Sequence, residues 1–164
     1  MADLVPSLLR CWTHQGEYAD RLTADLTAEQ VFATPPGGVV MNHPAWVFCH
    51  LGVYMPVLIE LLAGGTPPDP LEHRYGRQSR PTLDPGEYPA WPDIRSAYLA
   101  DHARAGKALE EAPAGVLDRP IAISRWAPRW PRLGDAVVHL MVDHESVHLG
   151  QLSAWRRVMG LPSV

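Results

Sequence analysis

Residues 133–159 read LGDAVVHLMVDHESVHLGQLSAWRRVM, and their large apolar side chains recur at the spacing of one helical face. Those side chains are Val137, Met141, Leu152 and Trp155. The run ends at Gly160-Leu-Pro162, a signal that stops a helix. A helix of this length must bury its apolar face against neighbouring elements, which predicts a helical bundle.

Three more segments show the same spacing, and we expect helices over about residues 4–26, 44–63 and 92–112. The second helix begins at a clear signal, because the Asn42 side chain can cap free amide groups and Pro44 fits the first turn. A short additional turn of helix is expected over residues 27–32, before a break at residues 34–38. No segment alternates over enough residues to build a sheet, although a small hairpin within residues 116–126 is compatible with the pattern.

The connection between the second and third helices, residues 64–91, is rich in Pro, Gly and charged residues and has no regular period. A loop this long is uncommon in a small domain unless it crosses the fold or shapes a site. It can span the bundle, so the second and third helices can run parallel. The sequence therefore predicts an all-α fold, a four-helix bundle with a long crossover between helices two and three, formed as a single domain by residues 1–164.

Composition excludes several classes of function. The net charge of -4 lacks the excess of Lys and Arg that binding to phosphate backbones requires, so we expect no nucleic-acid partner. From the sequence we expect no stretch long and apolar enough to cross a bilayer, and the first residues lack the pattern of a secretion signal. Cys11 and Cys49 are too few for a disulfide framework and suit a reducing compartment. We therefore expect a cytoplasmic protein without a membrane partner.

His144 and His148 lie four residues apart, so they project from one face of the last helix and can bind one metal ion together. That face is also the apolar one, where an imidazole needs a partner. Two interpretations are open: a metal site, or core histidines with hydrogen-bond partners, since a chain with 8 histidines can contain such a pair by chance. His50, on the apolar stripe of the second helix, favours the metal site without deciding the question.

The string from His144 to His148, HESVH, also matches the zinc-protease pattern His-Glu-x-x-His, in which the Glu acts as general base. Such proteases usually take a third ligand further along the chain, but no His, Asp, Glu or Cys follows His148. A peptidase is therefore disfavoured. For Glu145 we expect an exposed position or an indirect role beside the site.

Two helices resemble the DinB/YfiT-like family. The second helix, with NHPAWVFCHL, resembles a motif of that family in which a Trp precedes a metal-binding His by four residues, here Trp46 and His50. The last helix resembles the family's His-x-x-x-His-x-Gly-Gln ending, here from His144 to Gln151. The resemblance extends over nearly the whole chain in order, spacing and layout, with one departure: Leu149 stands where many members carry Arg.

The resemblance implies an up-down-down-up bundle that holds one divalent ion through His50 on helix two and His144 and His148 on helix four. Three neutral imidazoles suit zinc or nickel. Members commonly form homodimers, and characterised ones include thiol-cofactor-dependent transferases and a maleylpyruvate isomerase. We therefore expect a metal-dependent enzyme of the thiol-dependent S-transferase or isomerase kind, acting on a small-molecule substrate with a low-molecular-weight thiol. The alternatives are a non-catalytic metal-binding protein and a metal-dependent hydrolase that uses His-Glu-x-x-His.

Substrate selection should fall to groups around the ion, because identical metal ligands support many reactions on one scaffold. The expected substrate-binding residues are Trp46, Tyr54, His102 and Gln151, with the segments 64–91 and 113–131 as walls. The Arg- and Trp-rich stretch at residues 125–132 either packs as a surface loop or holds a carboxylate-bearing substrate or a thiol cofactor. His139, with Asp135 and Asp143 four residues away on either side, is expected on a solvated face.

Overall fold

Helices and turns make up the regular structure of residues 4–37 and 41–164, the part of the chain that the computed structural model describes. The first three helices are α1 (Val5–Thr23), α2 (Pro44–Leu62) and α3 (Trp91–Glu110). Each has a proline in its first turn, where the missing amide hydrogen breaks no helical hydrogen bond. Short 3-10 turns occur at Gln30–Phe32, Pro70–Glu72, Pro85–Glu87 and Val116–Asp118.

The last helix, which we call α4, is continuous over residues 133–158 but changes its winding. It is α-helical over Leu133–Val138, π-helical over His139–His144 and α-helical again over Glu145–Val158. A π turn replaces i→i+4 hydrogen bonds by i→i+5 bonds and usually occurs as a short insertion in an α-helix. The Gln15 side chain of α1 donates to the Val142 carbonyl within this turn at 3.3 Å. Helix α1 therefore braces α4 where its winding changes.

The prediction of an all-α fold is confirmed: four helices lie close to their expected bounds, and no strand occurs among the described residues. The extra turn expected at residues 27–32 is the 3-10 turn Gln30–Phe32. Of the break expected at residues 34–38, Gly38 lies outside the described residues. The hydrophobic period therefore predicted the elements correctly.

One local prediction is wrong, and one feature that the sequence left open does not occur in the described chain. His43 rather than Asn42 caps α2, because the His43 Nδ1 atom accepts a hydrogen bond from the Trp46 backbone amide at 3.3 Å. No hairpin forms within residues 116–126, where the described chain has a 3-10 turn and only an isolated bridge between Pro120 and Arg132.

Helix α2 corrects the expectation that no segment is long and apolar enough to cross a bilayer. Pro44–Leu62 meets both criteria, with a mean hydropathy of 1.7. However, 67% of the apolar stretch is buried inside the protein, where α2 packs against α3 and α4. This is the environment of a core helix in a soluble domain.

The C-terminal ends of α1 and α4 are joined by a buried guanidinium group. Arg156 is 1% exposed and donates hydrogen bonds of 2.9 Å to the backbone carbonyls of Leu22 and Pro162. It also forms a bidentate pair with the Asp25 carboxylate, at 2.6 and 2.8 Å. Such planar, charge-assisted pairs fix geometry as well as contributing energy. Arg156 therefore sets how the two helix ends lie against each other.

We predict that Arg156→Ala lowers the free energy of unfolding by about 3 kcal/mol, because it leaves the buried Leu22 carbonyl unpaired, removes the pair with Asp25 and opens a cavity. Urea denaturation followed by circular dichroism measures this loss. The matched control is Arg157→Ala, since Arg157 is exposed on the same turn and its removal should change stability by less than about 0.5 kcal/mol. Equal losses in the two variants would contradict the assigned role.

Candidate metal centre

Three histidines from two helices meet at one point in the bundle. His50 lies in the middle of α2, His144 ends the π turn of α4, and His148 follows one turn later. One nitrogen of each ring lies within 4.8 Å of the other two, and His50 Nε2 is 3.1 Å from His144 Nε2. Imidazole nitrogens bind zinc at about 2.0–2.1 Å, so this triad can surround a single ion. Residues 4–37 and 41–164 contain no other such cluster of three potential ligands.

Hydrogen bonds determine which nitrogen of two of these rings is free. His50 Nδ1–H donates to the Tyr75 backbone carbonyl at 2.6 Å, and His148 Nδ1–H donates to Gln151 Oε1 at 3.0 Å. Because these oxygens only accept, the proton of each neutral ring lies on Nδ1, and Nε2 keeps its lone pair. Outer hydrogen bonds of this kind orient the imidazoles of metal sites.

Gln151 is itself held from the start of α2. The Asn42 side-chain amide donates to Gln151 Oε1 at 2.8 Å, the same oxygen that accepts from His148. Asn42 directly precedes His43, the cap of α2. The chain of contacts from Asn42 through Gln151 to His148 therefore links the two helices that carry the triad.

Burial keeps the three rings neutral. Loss of hydration, with a smaller contribution from repulsion between the histidines, lowers the pKa of His144 to about 2 and that of His148 to about 4. Burial also lowers the pKa of His50. The triad is therefore unprotonated at neutral pH, and the neutral ring is the form that binds metal.

The triad lines a cavity of about 330 Å³, a size suited to a small molecule. The helices contribute Trp46, Tyr54, His139 and Leu140 to its walls. The irregular segments contribute three arginines and two tryptophans, namely Arg77, Arg125, Arg129, Trp126 and Trp130. A larger, mostly apolar cavity of about 720 Å³ lies between α2 and α3 and includes none of the three histidines.

Two of the four predicted substrate-binding residues lie at the smaller cavity. Trp46 stacks on His50 with ring centroids 4.7 Å apart, and its buried indole N–H has no hydrogen-bond partner among the described residues. The Tyr54 ring lies 5.3 Å from His50 and 5.0 Å from His144. Burial raises the pKa of Tyr54, so its hydroxyl keeps its proton and can donate. Gln151 is not at the cavity wall but supports His148 from behind.

His102 lies away from this cavity, which corrects the expectation that it lines the approach to the ion. Its ring stacks on Trp12 at 3.6 Å between centroids, and its Nε2 atom is 3.7 Å from the Glu145 carboxylate. Glu145 is 1% exposed and accepts a hydrogen bond from the Tyr98 hydroxyl, so its expected exposed position is wrong. These side chains form a separate buried polar cluster between α1, α3 and α4.

His139 is at the cavity although its spacing predicted a solvated face. It stacks on Trp130 at 4.0 Å, and its ring lies 5.7 Å from His144. In an α-helix, residues five apart differ by about 140° around the axis. The i→i+5 bonding of the π turn instead brings such residues to one side. A π turn leaves no signal in an α-helical pattern, so the spacing could not reveal this position.

Comparison with known proteins is consistent with this arrangement. A family model described as the DinB superfamily matches residues 12–152, a range that contains all three histidines of the triad. No curated protein and no solved structure matches the chain significantly.

We predict that Gln151→Ala weakens divalent-metal binding about 10- to 100-fold, because His148 loses the acceptor that orients its ring. Competition with a chromophoric chelator measures this change. Ser153→Ala is the matched control on the same helix, since no described side-chain hydrogen bond involves Ser153. If Gln151→Ala keeps the wild-type metal affinity, Gln151 does not position His148.

The stability of the protein should depend on pH through His102. Burial lowers the pKa of His102 from 6.5 to about 4. Between these values the unfolded chain binds a proton at His102 that the folded protein does not, so the effect of His102 is to lower stability as the pH falls. For metal-free protein taken from pH 7 to pH 5, we predict that the stability change of His102→Gln is about 2 kcal/mol more favourable than that of wild type, because only wild type carries this effect. Denaturant unfolding at both pH values tests this, with exposed His14→Gln as control. Identical pH dependence in wild type and His102→Gln would contradict it.

Proposed function

The chain belongs to the DinB superfamily, and from that premise we propose that it binds one divalent metal ion through His50, His144 and His148. We further propose a metal-dependent enzyme of the thiol-dependent S-transferase or isomerase kind. Zinc and nickel both accept imidazole ligands and are the proposed ions. A low-molecular-weight thiol is the proposed cofactor, and a small molecule the substrate.

The observation that carries the metal proposal is the orientation of the triad. Its ligand atoms lie within 4.8 Å of one another. Because Nδ1 of His50 is bonded to Tyr75 and Nδ1 of His148 to Gln151, the Nε2 lone pairs of these two rings are not used in those hydrogen bonds. The His50 and His144 Nε2 atoms lie 3.1 Å apart and meet each other rather than a carbonyl or carboxylate oxygen. Three neutral nitrogen donors gathered in this way match the donor set of a divalent transition metal.

An ion held by three neutral imidazoles keeps its charge and an open position, at which a thiol loses its proton more easily. The chain supplies the groups around that position. The Tyr54 hydroxyl can donate a hydrogen bond to negative charge on a bound molecule, and Trp46 holds the plane of His50 by stacking. The adjoining cavity of about 330 Å³ can take a small substrate.

The cavity also supports an enzyme over a non-catalytic metal-binding protein. Structural zinc sites are enclosed by four protein ligands, whereas the described cluster supplies three and opens on a cavity. We do not propose a peptidase, because the Glu145 carboxylate is buried against Tyr98 and does not line this cavity.

Three further features belong to the proposal. The up-down-down-up course of the helices rests on the family resemblance. Two free cysteines agree with a cytoplasmic location. A homodimer rests on the family resemblance.

We predict that the purified protein binds one divalent ion per chain and that His50→Ala, His144→Ala and His148→Ala each lose most of it, because two imidazoles bind metal far more weakly than three. Elemental analysis and chelator competition measure the loss. His14→Ala, a change of the same type at an exposed position of α1, should keep wild-type binding.

Stoichiometric metal that persists in both His50→Ala and His148→Ala would defeat the assignment. The thiol proposal has its own test in cobalt-substituted protein, where thiolate binding produces a charge-transfer absorption. Bound cobalt without such absorption, across a panel of small thiols, would favour the non-catalytic alternative.

A further inference from the structure

The cavity beside the triad is lined by positively charged side chains, although the protein as a whole is negatively charged. The protein carries 18 acidic and 14 basic residues, with a net charge of -4. Nevertheless, the described wall of this cavity contains three arginines and no Asp or Glu. Low-dielectric walls lined by one sign of charge concentrate the field on ligands of the opposite sign. The cavity is therefore suited to an anionic molecule.

Two of the three arginines are free to bind such a molecule. Arg125 is neutralised by Asp69, with which it forms two hydrogen bonds. Arg77 and Arg129 form no ion pair with any described residue, and both are exposed at the cavity mouth. The Arg129 guanidinium lies over the Trp130 ring at 5.3 Å, a contact that orients it without neutralising its charge.

A third donor at the cavity also lacks a partner. Trp46 is 6% exposed, and its indole N–H has no acceptor in the described part of the protein. A buried donor without an acceptor costs free energy that a bound ligand can recover. Arginine guanidinium groups match the planar, two-oxygen geometry of a carboxylate. The unpaired groups at this cavity thus share a preference for anionic oxygen.

We propose that the molecule reaching the candidate metal centre carries a carboxylate, which Arg77 and Arg129 bind at the cavity mouth. This inference rests on the proposed function, which places a thiol or a small substrate beside the triad. The carboxylate belongs either to that molecule or to a second molecule bound next to it. The helices then supply the metal ligands, whereas the segments 64–91 and 113–131 supply the groups that select a carboxylate.

Cobalt-loaded protein and two thiols test the proposal. 3-Mercaptopropionate ends in a carboxylate and 2-mercaptoethanol in a hydroxyl, and charge-transfer absorption gives the Kd of each. We expect wild type to bind 3-mercaptopropionate about 10- to 100-fold more tightly. The double variant Arg77→Gln/Arg129→Gln should lose this preference but keep its cobalt content and its Kd for 2-mercaptoethanol. Arg104→Gln, an exposed charge on α3 away from this cavity, is the control that should keep the preference.

A second experiment tests whether the carboxylate belongs to a molecule other than the thiol. Succinate is titrated by calorimetry into cobalt-loaded protein, with and without saturating 2-mercaptoethanol. Succinate binding that is lost in the double variant supports the proposal, with the carboxylate on the substrate rather than on the thiol.

Equal Kd values for the two thiols, together with no arginine-dependent binding of succinate, would overturn the carboxylate inference and leave the proposed function intact. If neither thiol gives absorption although cobalt is bound, the thiol chemistry fails instead. In that case the succinate titration alone decides the carboxylate inference: binding that is lost in the double variant supports it, and the absence of such binding overturns it.

Discussion

Three imidazoles buried in a helical bundle must remain neutral and keep fixed orientations, and this requirement connects distant parts of the chain. The Tyr75 carbonyl in the long connection between α2 and α3 accepts a hydrogen bond from His50. Gln151, held by Asn42 at the start of α2, accepts from His148. Each contact leaves Nε2 unprotonated, while burial prevents the rings from becoming charged. The long connection between α2 and α3 and the α2–α4 contact are therefore parts of the site as well as of the fold.

Helix α4 contributes consecutive residues to two different polar clusters. His144 belongs to the triad, whereas the next residue, Glu145, is buried with Tyr98 and His102. The motif His-Glu-x-x-His thus places its Glu outside the cavity in this fold, which removes the base that a peptidase would need. A sequence match alone does not give a residue its role, because the packing of the helix decides which side chains share a space.

In the proposed function, the side chains that would hold an ion come from different parts of the chain than the side chains that would contact a substrate. The candidate ligands lie on rigid helices, where neighbouring turns fix their spacing. The arginines and tryptophans come from irregular segments, which can change without disturbing the triad. In such an arrangement, substitutions in the irregular segments would change which small molecule fits while the triad stays in place.

The sequence by itself determined the four helices and the inward position of His50, His144 and His148, because hydrophobic periodicity is a local property of the chain. Only the tertiary structure decided the rest of the cavity. Arg77 reaches it through the path of a long loop, and His139 through a π turn, neither of which leaves a periodic signal. Likewise, the packing of neighbouring helices decided that Gln151 contacts His148 and that His102 contacts Trp12 rather than the cavity. Spacing shows that a side chain points inward, but only the packed helices decide which group it meets.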